Sequence, residues 1–82
     1  MITVKYFAPL RGVLGVTEES LDADTVQGVL KHIKESYGKA GYKAAKSALI
    51  VVNAVSIGQL SEMKTKLADG DTVGFLPICG GG

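Results

Sequence analysis

The last three residues of the chain are glycines, Gly80, Gly81 and Gly82. At an average glycine usage of about 7%, such a run arises by chance on the order of 0.03% of the time. Without Cβ atoms this end is thin, and it can lie extended in a narrow channel. Its final group is a carboxylate with no side chain beside it, which suits an enzyme that activates a protein's own C-terminus deep in an active site. A carboxylate is a poor electrophile until one oxygen becomes a good leaving group, and adenylation achieves that. Residues 79–82 therefore read as a flexible reactive tail on a domain formed by residues 1–78. Cys79 lies three residues from the reactive end. It is either a small apolar filler or a thiol able to exchange with a persulfide donor or attack the activated terminus.

Nothing else in the sequence competes as a reactive centre. The one histidine, His32, falls on the polar side of a helical pattern and reads as solvated. One histidine and one cysteine cannot build a His-rich metal site or an internal disulfide, so no metal is expected. Glu18, Glu19, Asp22 and Asp24 read as a solvated strand edge running into a helix N-terminus that favours negative charge. Asp69 and Asp71 flank Gly70 in a turn and are expected to bond the local backbone. The glycines form no phosphate-binding fingerprint. Residues 31–46 carry five lysines and one glutamate. That patch lacks arginine and interleaved aromatics beyond Tyr37 and Tyr42, so a protein-docking or solvated face is favoured over nucleic acid.

The elements that must present the tail follow from patterning. Eighty-two residues make one small domain. With 46% apolar and 21% charged residues, the composition is that of an ordinary globular chain and excludes a disordered one. A net charge of +1 gives no global attraction to nucleic acid or membrane. No apolar run approaches the roughly 20 residues that span a bilayer, and the start lacks a signal-peptide pattern. A cytoplasmic location is expected.

Ile2, Val4, Tyr6 and Ala8 alternate with Thr3, Lys5 and Phe7, giving a strand over 2–8. Pro9 and Gly12 mark a connecting loop, and a second strand over about 15–21 completes a hairpin. Asp24 is the expected cap of a helix with Gln27 three residues on. Val26, Val29, Leu30, Ile33 and Tyr37 form its apolar stripe, and Gly38 is its expected stop. Residues 39–47 read as a loop or short helical turn. The β-branched run Leu49–Asn53 reads as a buried central strand. Short strand or turn elements fill 54–68, and Thr72–Ile78 forms the last strand, ending near Pro77. The order is that of an α+β, ubiquitin-like β-grasp: a mixed sheet of four to five strands with one main helix across one face. If the helix covers the Val4/Phe75 face, Phe7 and Leu76 project from the open face beside the tail, as docking surfaces do.

Phe7-Ala8-Pro9-Leu10-Arg11 with Gly15, then Val52-Asn53, then Asp69 to Pro77, and finally Gly81-Gly82, resemble the MoaD/ThiS sulfur-carrier family. The similarity is greatest to the small subunit of molybdopterin synthase, and most specific where D-G-D-x-V-x-F-x-P leads into a terminal Gly-Gly. The resemblance implies a carrier with no catalysis and no stably bound cofactor of its own. An ATP-dependent activating enzyme would adenylate Gly82, and a sulfurtransferase system would convert the acyl-adenylate to a thiocarboxylate. The tail would then enter the large synthase subunit and deliver sulfur to a pterin precursor of the molybdenum or tungsten cofactor. The resemblance places partner contacts on Phe7, Arg11, Phe75, Leu76, Pro77 and Leu60, with Gly81 and Gly82 as the reactive end and Gly80 and Cys79 behind them. Two related readings share the adenylation step: a sulfur carrier for thiamine or amino-acid synthesis, and a ubiquitin-like modifier joined to lysines through Gly82.

Overall fold

The computed structural model describes residues 1–8 and 10–77. Its strands are β1 (Ile2–Tyr6), β2 (Glu18–Leu21), β3 (Leu49–Val52), β4 (Val55–Ser56) and β5 (Thr72–Leu76). Helix α1 (Leu10–Leu14) lies between the first two strands, and α2 (Val26–Lys46) joins β2 to β3. Two 3₁₀ turns, Ile57–Gln59 and Glu62–Lys64, lead from β4 towards β5. The five strands form one mixed sheet in the order β2-β1-β5-β3-β4. β1 and β5 run parallel, and every other pair is antiparallel. This is the expected ubiquitin-like β-grasp, in its five-stranded form.

Alternation decides which face α2 covers. Val4, Tyr6, Ile50, Val52, Val73 and Phe75 point to one side and are buried, and Val26, Val29, Leu30 and Ile33 of α2 pack on them. Each such side chain contributes about 1.5–3 kcal/mol through removal from water. Among the described residues, no helix packs over the other face.

Four local expectations change. Within the connection expected as a loop, Leu10–Leu14 form helix α1, with Leu10 and Leu14 buried. The cap of α2 is Thr25 rather than Asp24: its hydroxyl accepts from the Gly28 amide at 3.2 Å. Thr25 is held extended by an antiparallel bridge to Lys66, and the Asp24 carbonyl accepts from the Leu67 amide at 2.8 Å. The cap therefore falls one residue later than spacing alone indicates. Gly38 breaks the helical geometry, with φ 81° and ψ −174°, but the chain resumes the helix and continues to Lys46. The second segment is anchored by small residues, buried Gly41 and Ala45. Finally, β3 is not the central strand. β5 is, and β3 buries only one face, leaving Leu49 42% exposed.

Candidate functional site

The site lies at the C-terminal end of β5, where the central strand leaves the sheet. Val4 and Val73 are partners across β1 and β5, as are Tyr6 and Phe75. The Phe7 amide donates to the Phe75 carbonyl at 3.1 Å and extends this pairing one step past β1. On the other side, Leu49 of β3 is the partner of Leu76. Phe7, Leu76 and Leu49 thus form a row across the open face at the strand's exit. One row down, Gly74 stands between Lys5 and Val51.

The missing side chain at Gly74 creates a hollow of about 310 Å³ on the open face, lined among others by Lys5, Phe7, Val51 and Leu76. A second apolar hollow, about 300 Å³, lies on the helix side of the same exit, among Leu10, Ala44, Ala48 and Pro77. Phe7 and Leu76 line both. Any partner that receives the chain beyond Pro77 therefore meets an apolar rim with Phe7 and Leu76 at its crest.

The turn before β5 is fixed by polar contacts. Asp71 accepts from the Ala68 amide at 2.8 Å and from the Asn53 side-chain amide at 3.0 Å. The Ala68 N–H, followed by the Asn53 amide, holds its carboxyl below the ordinary range. The Asn53 side-chain oxygen in turn accepts from the Thr72 amide at 3.0 Å. This ties the β3–β4 turn to the start of β5. It also accounts for Gly70, at φ 90°, and for Asp71 as the local acceptor, whereas Asp69 pairs with the N-terminal ammonium group instead of the turn backbone.

Of the predicted partner contacts, Phe7 is 40% exposed, Pro77 is exposed and Leu76 is half-buried. Phe75 requires correction as a contact residue: it is fully buried in the core, its ring 5.7 Å from that of Tyr6. Its parity with Val73 turns it under α2, so it supports the exit from beneath. Arg11 is exposed on α1, whose first hydrogen bond runs from the Arg11 amide to the Phe7 carbonyl at 3.0 Å. Leu60 is exposed between the two 3₁₀ turns and lines neither hollow. Cys79, Gly80, Gly81 and Gly82 lie outside the described residues.

Sequence reasoning missed Leu49 and Val51, because a β-branched run conceals which residues alternate outward. It also misread Glu19 as a solvated edge. The Glu19 carboxylate accepts from the Tyr6 hydroxyl at 2.6 Å and the Tyr37 hydroxyl at 2.9 Å, and pairs with His32 Nε2 at 3.1 Å. Burial pushes this carboxyl up, but its three partners outweigh burial and hold it below the usual carboxylate range. Burial, then the bond to Glu19, pushes the Tyr6 phenol up. The signal was present in the register: Glu19 pairs with Val4 and shares a face with Leu21, both buried.

Among the described residues, no three His, Cys, Asp or Glu side chains gather as a metal site, and no helix is long and apolar enough to cross a membrane. The β-grasp is the fold of the ubiquitin-like carriers and modifiers, and a family match places the chain among them. The chain belongs to the ThiS family, whose model matches residues 4–82. A search of curated proteins found no match. Among solved structures, the small archaeal modifier protein 1 from Methanosarcina acetivorans is 31% identical, with TM-score 0.82, covering 99% of this chain and 95% of its own. A Pyrococcus furiosus protein assigned as molybdopterin converting factor, subunit 1, is 28% identical, with TM-score 0.66 and coverages of 93% and 94%. The fold also recurs in the complex of subunits 1 and 2 of the Helicobacter pylori molybdopterin-converting factor, at 24% identity, TM-score 0.68 and coverages of 98% and 97%.

Proposed function

We propose that this protein is the sulfur carrier of molybdopterin synthesis, working through the carboxylate of Gly82. The observation that supports a carrier working through this end is the extent of the family match, which runs through the strand exit to residue 82; the likeness to the Pyrococcus furiosus molybdopterin converting factor, subunit 1, favours the pathway. An activating enzyme adenylates Gly82 with ATP, releasing pyrophosphate. Hydrosulfide from a sulfide-level donor then attacks the acyl carbon and displaces AMP, leaving a thiocarboxylate and releasing a proton. The large synthase subunit takes the tail, and the rim of Phe7, Leu49 and Leu76 seats against it. The carrier itself holds no cofactor and catalyses no step; it supplies a reactive group and a docking face. The subunit 1–subunit 2 complex of the Helicobacter pylori relative supports a partner of this kind.

Intact-mass measurement tests the carrier chemistry. After incubation with ATP, an activating enzyme and a sulfide source, the chain gains the mass of one oxygen exchanged for sulfur, and deletion of Gly82 abolishes the gain. Retention of the gain without Gly82, or its absence with the family's activating enzymes, overturns the proposal. Co-purification with a pterin-converting large subunit assigns the pathway. A second reading, a protein modifier, is favoured by the 31% identity to the small archaeal modifier protein 1. Isopeptide conjugates of Gly82 on lysines in cell extracts would establish it.

A further inference from the structure

The basic stretch of α2 has no part in the tail chemistry, yet the fold makes a defined surface of it. Lys31, Lys34 and Lys46 of α2 and Lys64 of the second 3₁₀ turn surround a groove of about 600 Å³, twice the size of either hollow at the strand exit. Leu30 and Met63 also line the groove, and no carboxylate does. The ammonium groups of Lys34 and Lys46 lie 5.3 and 5.7 Å from the centroid of the Tyr42 ring. Attraction to the ring face restrains both lysines, so less side-chain entropy is lost when they meet an anion. The whole chain has a net charge of only +1, so this is a separation of charge. Asp22, Asp24 and Asp69 line a different hollow, by the start of β1. Four like charges around one concavity repel one another, and an anionic occupant relieves that repulsion.

We propose that this groove docks an acidic segment of a protein partner, one with an apolar side chain among its carboxylates. Three observations select that occupant. Met63, half-buried over the core residue Leu30, offers it an apolar, adaptable contact, which a phosphate backbone would leave unused. The Tyr42 ring already engages two lysines, so it is not free to stack a base. Among the described residues the groove is lined by lysine alone as a cation, without the arginine fork that suits phosphate. The groove lies on the helix layer, whereas the Gly74 hollow opens on the uncovered sheet face. An acidic segment can therefore hold the carrier while the strand exit faces an active site.

Fluorescence anisotropy on the full chain tests the proposal, using a labelled peptide of mixed glutamate and leucine. Its controls are a version with serine for glutamate and an oligouridylate of similar length. The glutamate–leucine peptide binds at low salt and weakens as salt rises. The serine peptide does not bind, and the oligouridylate binds more weakly. Lys34→Glu with Lys46→Glu weakens the acidic peptide about tenfold or more, with the melting temperature unchanged. Absence of binding at low salt, indifference to the lysine changes, or equal binding of the serine peptide overturns the proposal. Tighter binding of oligouridylate would make the groove a nucleic-acid site. Self-association abolished by the same lysine changes would make the occupant a second copy. Either result also overturns it.

Discussion

The Cγ2 methyl of Val51 stands 3.1 Å from the point that a Cβ on Gly74 would occupy, with Phe7 Cε1 at 3.9 Å from the same point. Val51 thus crowds one side of the hollow at Gly74, close to where a Cβ would stand, and the rest of the hollow stays open. Gly74→Ala requires Val51 to move by a few tenths of an ångström and is expected to cost under about 1 kcal/mol. Gly74→Val overpacks the row and is expected to cost about 1–3 kcal/mol. Both fill the hollow on the open face. Titration with the activating enzyme or large subunit should show weaker docking for the folded Gly74→Ala protein. Unchanged affinity would remove the hollow from the interface.

The rim makes a separable prediction. Leu49→Glu and Leu76→Glu each place a charge in the row beside Phe7 without touching the helix-covered core. Each should weaken docking about tenfold or more, while thermal unfolding shifts by under about 1 kcal/mol, as surface changes do. Leu60→Glu is the control: Leu60 matches Leu49 in exposure but stands between the 3₁₀ turns, outside the row beside Phe7, so docking should change by less than about twofold. A larger loss for Leu60→Glu than for Leu76→Glu would move the interface to the 3₁₀ turns.

Glu19 links β1, β2 and α2 through Tyr6, Tyr37 and His32. Glu19→Gln should destabilise the fold by about 1–3 kcal/mol at neutral pH, because a charged acceptor of several hydrogen bonds is lost. The pH dependence has a fixed sign. The folded carboxyl is held below its ordinary value of 4.5, so its stabilisation is present above that pH and is lost as pH falls through the folded value. The difference between the native chain and Glu19→Gln should therefore shrink as pH drops below about 4.5. Urea unfolding at neutral and acid pH reads this directly, and a difference that grows in acid would refute it.

The fold was legible where one residue type alternated against another. β1 shows a period of two, the first half of α2 carries an apolar stripe, and D-G-D marks the turn into β5. These elements suffice to orient Phe7 and Leu76 on the open face. Legibility failed for three physical reasons. Helix α1 has five residues, too few for a periodic signature, and is held by two buried side chains, Leu10 and Leu14. The second half of α2 packs through Gly41, where a Cβ would stand 2.7 Å from Leu14 Cδ2, and glycine and alanine contribute little apolar contrast. Val51 and Leu49 belong to a run apolar on both faces, so exposure depends on strand order rather than composition. Phe75 failed differently: its parity placed it on the helix-covered face, but the family resemblance counted it among the partner contacts.

The break at Gly38 gives the last prediction, and it opposes helix propensity. Taken as a helix-interior glycine, Gly38 would gain about 1 kcal/mol on replacement by alanine. Its φ of 81° with ψ of −174° lies in a region that glycine occupies almost alone, so Gly38→Ala should instead cost about 1–3 kcal/mol. Gly12 on α1 is the matched opposite: it is exposed, a Cβ there meets nothing within 4 Å, and φ is not positive. Gly12→Ala should stabilise by about 0.5–1 kcal/mol. Chemical denaturation of the two variants measures both signs at once. The break also sets where Tyr42 stands relative to Lys34, since the two lie on opposite sides of it. In a straight helix they would be about 12 Å apart along the axis. A Gly38→Ala protein that folds should therefore hold the lysine groove less well and bind the acidic peptide more weakly. Gain of stability together with added helicity would show that the helix prefers to run straight, and the kink would then have no role in shaping the groove.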